Sequence, residues 1–508
     1  MRMNLSVLNR TLLAIAIAAW VAGTPSTARA EVKPNSLFSD GAVLQQGVAV
    51  PVWGTAKDGE KVTVKFQQQT VTATAKDGRW LVRLKPLKAG GPFTLSVAGE
   101  NNSVVISNVL VGEVWLCSGQ SNMGFQLSRA ANAAEAIAAA RDPQLHLFTV
   151  PRGAMDTPST DAPARWEESS PETAPTFSAV AWFFGRDLRQ ALHVPVGVIN
   201  SSVGGTPAEA WTSRAALEAD PELKQILERY ADNVKNYDPE AAAAKHKQAL
   251  EQHKAAAAKA KAAGEKAPAA PRAPADPRHG TGRPGCLYNG MIAPLQPYAI
   301  AGAIWYQGEA NSGRATEYRT LFPAMIRNWR KAWGQGEFPF LFVQIAPHER
   351  MSPEIREAQL LSWQKVPRTG MVVITDIGSE TDIHPTQKEP VGARLVLAAR
   401  AIAYGEKITY SGPVYASMKV EGQRAVLSFT HIGSGLLAKG GDLKGFTIAG
   451  ADGHFTSATA TIEGDKVIVS NPAVAKPVAV RYGWANTPDV NLFNKEGLPA
   501  TPFRTDVK

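Results

Sequence analysis

Between Val109 and about Tyr404, apolar runs of strand length alternate with longer amphipathic stretches, and this rhythm constrains the fold more than any other feature of the chain. Six runs read as strands: Val109–Leu116, Leu145–Val150, Val196–Ser201, Ala299–Tyr306, Phe340–Ile345 and Met371–Asp376. Between them, Ala179–Leu192, Tyr318–Trp333 and Val391–Tyr404 repeat apolar residues at helical spacing. The alternation predicts an α/β domain over 109–405, with a mostly parallel, doubly wound sheet covered by helices on both faces. In such sheets the loops at the carboxyl ends of the strands face an open crevice, and chemistry is expected there.

The flanks have a different rhythm. From Glu31 to Asn108, short β-branched and aromatic runs are separated by turn signals such as Lys57-Asp58-Gly59 and Lys76-Asp77-Gly78, which predicts a small β-sandwich over 31–108. β signals return over 406–508, as in Ala425–Phe429 and Val467–Ser470. Inside the α/β region, residues 238–278 are rich in Ala, Lys and Pro and read as a surface insertion, first a solvated helix and then a polyproline-like linker.

Residues 1–30 carry Arg2 and Arg10, an apolar core from Leu12 to Val21, and Ala28-Arg29-Ala30, the pattern of a secretory signal peptide. The expected product is exported, periplasmic or extracellular, and without a membrane span, since no later run approaches the ~20 apolar residues a span needs. The leader holds three arginines and no acid, so its removal lowers the net charge from +9 to +6. Much of that remainder lies in the insertion, and the balanced rest gives no support to a nucleic-acid face. The two cysteines, Cys117 and Cys286, read equally as a disulfide or as two buried thiols. Neither has zinc-site spacing.

The chemistry-bearing residues fall at strand ends. Ser121, in Gly119-Gln120-Ser121-Asn122-Met123, follows the first strand and is the candidate nucleophile, although Gln120 and Met123 depart from the G-x-S-x-G elbow. Serine needs an imidazole to take its proton. Of nine histidines, His384 is placed best: it follows the strand Met371–Asp376 and has Asp382 two residues before it to orient the ring. His348, after Phe340–Ile345, is the reserve. Two further loops suit an oxyanion hole: the Gly204-Gly205 pair, whose N–H groups can approach a ligand closely, and Gln307 with Asn311, which offer amide donors.

These motifs resemble the sialate O-acetylesterase-like branch of the SGNH hydrolase superfamily. The resemblance rests on Gly112–Trp115 with Gln120–Met123, on Ser202–Pro207, Leu287–Met291 and Trp305–Glu309, and on Asp382–Pro385. It implies a flavodoxin-like core and esterase chemistry without metal or cofactor. Position by position, it implies Ser121 as nucleophile and His384 as base. The oxyanion donors would be the N–H groups of Ser121 and of Gly204 or Gly205, with Gln307 in place of the superfamily's usual Asn. That superfamily places its acid three residues before the His, where this chain has Thr381. Asp382 is then the orienting acid, or a backbone carbonyl takes its place. Asn122, Trp211, Glu309 and Asn311 are candidate substrate contacts.

The expected function is removal of O-acetyl groups from sugars, with acetylated sialic acids and plant cell-wall glycans such as xylan or xyloglucan as equal candidates. The rival from another class is a glycan-binding protein over a silent hydrolase core, which would bind glycans and release no acetate.

Overall fold

The computed structural model describes residues 31–506. The predicted leader therefore lies outside the described residues. At the centre, six parallel strands run in the spatial order Asp142–Thr149, Val196–Ser202, Ser103–Gly119, Gly302–Tyr306, Phe340–Val343 and Thr369–Val372. A short antiparallel strand, Trp166–Ser169, closes one edge. The central strands are nearly continuous apolar runs, as a sheet covered on both faces requires. The Phe340–Val343 and Gly302–Tyr306 side chains are all buried.

Helices Ala179–Leu192 and Glu389–Ile402 pack on one face, where Trp115, Phe183, Phe184 and Leu395 form a core. Helices Ala315–Trp333 and Pro353–Lys365 cover the other, with Trp211, Trp305, Phe322 and Trp329. The chain leaves the Ser103–Gly119 strand toward the first face and leaves its two neighbours toward the second. This change of direction falls at the carboxyl end of Ser103–Gly119, the place where sheets of this kind bind ligands.

The first central strand is longer than its apolar run suggested. Ser103–Val111 pairs antiparallel with Gly90–Ala98 of the N-terminal β region, and Glu113–Gly119 then lies in the parallel sheet. Val43–Gln45 adds to it in parallel where the two halves meet. The second layer of the N-terminal region is the three-stranded sheet of Lys33–Pro34, Val50–Thr55 and Arg79–Leu84. Strict alternation in Arg79–Leu84 turns Trp80, Val82 and Leu84 inward.

The C-terminal region forms separate antiparallel sheets around their own core of Leu427, Ile448, Val469 and Tyr482. Within the insertion, helix Pro239–Ala262 is capped by the Asp238 carboxylate, which accepts from the Glu240 and Ala241 N–H groups. Only Ala260 of this helix is buried. Among the described residues no helix is long and apolar enough to cross a membrane. Cys117 and Cys286 are both free and buried in cores on opposite faces of the sheet, so no disulfide joins them.

Candidate active site

Because the central strands are parallel, their carboxyl ends share one rim. There Ser121 follows Gly119 in a turn rather than at the start of a helix, and the next helical segment is Leu127–Arg129. Gly119 has φ +140°, and a Cβ there would lie 2.2 Å from the Tyr306 carbonyl oxygen. That close approach lets the Gln120 N–H donate to Tyr306 O at 3.0 Å, pinning the Ser121 turn against the neighbouring strand end.

His384 reaches the same point from a loop beyond Thr369–Val372, and its Nε2 lies 2.7 Å from Ser121 Oγ. With Nε2 unprotonated, the serine hydroxyl donates to it, the geometry of a nucleophile and its base. Burial pushes His384 below its usual pKa, the Lys388 charge adds to this, and Asp382 opposes both. The ring is thus held in its proton-accepting form. His348 is 5% exposed and its Nδ1 accepts the Arg350 N–H, while His384 holds the contact with Ser121.

Asp382 does not hold the imidazole. Its carboxylate accepts the His384 backbone N–H at 2.8 Å and stands 3.9 Å from Nδ1, outside hydrogen-bond range. Its side chain is 62% exposed. It caps the turn that carries His384.

Of the two loop glycines, Gly204 lies against the serine: a Cβ there would sit 3.2 Å from Ser121 Cβ. Gly205, at φ +71° with open space around it, supplies the turn.

The remaining expected oxyanion donor, Gln307, and the expected substrate contacts are all buried. Gln307 is fully buried, and its amide donates to Thr206 O at 3.2 Å and to Asn311 Oδ1 at 2.7 Å. Both donors are engaged, so Gln307 braces the Gly204–Thr206 loop rather than presenting a free N–H to an oxyanion. Asn311 does the same, accepting the Ala208 N–H and donating to Glu209. Trp211 is 0% exposed; its indole N–H donates to Thr206 Oγ1 and its ring packs edge-on against Trp305. It is a core residue and not a stacking platform. Asn122 and Glu309 are also buried and hydrogen-bond each other at 2.7 Å.

The sequence reading missed Lys388, which is fully buried beside this pair and donates to Asn122 Oδ1 at 2.6 Å. Burial pushes it down to about 7. One signal was available: a lysine immediately before a helix opposes the helix dipole. Among the described residues no group of three or more His, Cys, Asp or Glu side chains is gathered as metal ligands.

Comparison with known proteins agrees in chemistry. A family model described as a carbohydrate esterase, sialic acid-specific acetylesterase, matches residues 280–401. The sialate O-acetylesterase of Rattus norvegicus is 31% identical over 89% of this chain and 90% of its own. That of Homo sapiens is 29% identical over 92% and 91%. The crystal structure of a carbohydrate acetylesterase from Xanthomonas citri matches with a TM-score of 0.80 and 40% identity, covering 94% of this chain and all of that one. On relationships that span about nine-tenths of both chains, the protein belongs to the sialate O-acetylesterase family and is a carbohydrate O-acetylesterase.

Proposed function

We propose that this chain cleaves sugar O-acetyl esters by double displacement, with Ser121 as nucleophile and His384 as its base. The observation that carries this reading is the 2.7 Å separation of Ser121 Oγ and His384 Nε2 at the rim of the parallel sheet. His384 takes the serine proton as Oγ attacks the acetyl carbonyl. The tetrahedral oxyanion is met by the N–H groups of Ser121 and Gly204, neither of which has a protein acceptor among the described residues. His384 then protonates the departing sugar oxygen, and water repeats the cycle on the acetyl-enzyme.

The strand order and helices on both faces support reading 109–405 as a flavodoxin-like SGNH catalytic unit, with 31–108 and 406–508 as flanking β regions. Export follows if residues 1–30 act as a leader. The test is acetate release from an aryl acetate and from acetylated sialosides, xylan and xyloglucan. Ser121→Ala is expected to abolish release from every substrate while leaving the melting temperature unchanged; robust release by that variant removes the mechanism. Ranking the wild-type rates assigns the substrate.

A further inference from the structure

Beneath the rim lies a group that the chemistry above does not use. Lys388 is fully buried, four residues after His384, and is the N-cap of helix Glu389–Ile402. A helix N-terminus repels a cation, and burial disfavours a charged ammonium. A lysine in this position therefore needs compensating contacts, and it has them. Its Nζ donates to Asn122 Oδ1 at 2.6 Å and lies 4.9 and 5.2 Å from the ring centroids of Phe125 and Tyr306.

The Asn122 amide donates onward to Glu309 Oε1 at 2.7 Å and to the Ile383 carbonyl at 3.0 Å. Asn122 follows the nucleophile in sequence, and Ile383 precedes the base. One side chain thus ties the Ser121 turn to the His384 turn, and Lys388 and Glu309 grip that side chain by its two ends. The other Glu309 oxygen has no partner among the described residues.

We propose that Lys388 is a positioning residue: through Asn122 it keeps the Ser121 and His384 turns in register, and its charge keeps His384 free to accept the serine proton. This rests on reading Ser121 and His384 as nucleophile and base. The charged groups that His384 faces are Lys388, Arg129 and His348, which disfavour its protonation, and Asp382, which favours it. Lys388 in turn faces Glu309, Asp382 and Arg129. With burial bringing Lys388 to about 7, it carries its charge below neutrality, in the range where an imidazole would otherwise protonate. The safeguard therefore operates where it is needed.

The test compares Lys388→Met with Lys388→Gln, using kcat, KM and the pH profile of kcat/KM on an aryl acetate, with melting curves to confirm folding. Both variants remove the charge, so His384 binds its proton more readily and the acid limb of kcat/KM moves to higher pH. Lys388→Met also loses the donor to Asn122. Its kcat is expected to fall about 10–100-fold with KM little changed, since small misplacements of reacting groups cost that much. Lys388→Gln, whose amide can still donate to Asn122, keeps more of kcat; should the Met variant not fold, the Gln variant's acid limb decides. An unmoved limb, or a loss equal at every pH, overturns the inference. An active Ser121→Ala overturns instead the reading on which it rests.

Discussion

Asp382 stands two residues before His384, yet it gives its carboxylate to the backbone N–H of the histidine rather than to the ring. At 3.9 Å and largely exposed, it acts on the imidazole only through a screened charge. A buried triad aspartate that holds the histidine tautomer is worth about 10⁴ in kcat. Asp382→Asn is therefore expected to lower kcat by less than about tenfold, a small fraction of the triad value. Because Asp382 favours the protonated ring, its neutralisation moves the acid limb of the pH–rate profile to lower pH, opposite to the Lys388 variants. A loss near 10⁴ would mean that the carboxylate closes on Nδ1 during turnover.

The same scale shows what single residues disclose in a sequence. Ser121 and His384 could be singled out because each polar residue follows a strand, and parallel strands bring such ends together. Gln307, Asn311 and Trp211 look identical to site residues in one dimension. Only burial, and the partners their donors have taken, show them to be bracing groups beneath the loop. Lys388 gives one local signal, a cation immediately before a helix, and its burial beside Asn122 is visible only in the fold.

Among the elements, the six parallel strands and the helices Ala179–Leu192, Ala315–Trp333 and Glu389–Ile402 were legible because long periodic segments carry their own signal. Helix Pro353–Lys365 was not. It buries Arg356, Glu357 and Gln359 along with its apolar residues, so no clean amphipathic stripe marks it. The edge strand Trp166–Ser169, four residues long, offers too little pattern to read. Element extents also shifted where tertiary pairing overrode local pattern, as in the lengthening of Val109–Leu116 to Ser103–Gly119.

The insertion is the element with least to lose. Its helix presents almost its whole surface to water, and the Arg278 guanidinium lies 5.6 Å from the Tyr237 ring centroid, so the two ends of the segment are near each other. Replacing 239–275 with a short Gly-Ser linker is expected to leave kcat/KM within about twofold and unfolding free energy within about 1 kcal/mol, as loop closure depends weakly on length. Loss of acetate release with the melting temperature intact would instead give the segment a part in catalysis.

Across the whole molecule, the C-terminal β region reaches the rim by a chain of specific contacts. Arg504 pairs with Glu357 at 2.7 and 3.0 Å, and Arg356 donates to the carbonyls of Ala485 and Asn486. Asn486 in turn accepts the His348 N–H at 3.2 Å, and its amide donates to Glu349 O at 2.6 Å. The Glu349 N–H then donates to Glu380 O, four residues before His384. The loop behind His384 thus leans on the C-terminal β sheets. Asn486→Ala removes one such bond, worth about 1 kcal/mol. The expected result is a severalfold fall in kcat/KM with the melting temperature nearly unchanged, measured by kinetics and thermal unfolding; unchanged kinetics would show that the His384 loop stands by itself.

The N-terminal region has a more intimate attachment. One unbroken strand, Ser103–Gly119, serves its sheet with the first half and the parallel sheet with the second, and it ends two residues before Ser121. A chain cut or spliced at residue 108 would sever that strand within the half that pairs with Gly90–Ala98. It would also strip Val43–Gln45 from its pairing and leave an apolar edge open to other chains. A gene fusion that exchanged this β region for another would have to reproduce a strand in register, not merely a linker of suitable length. The segment that leads to Ser121 thereby also welds it to a neighbour that cannot be exchanged as a loose module.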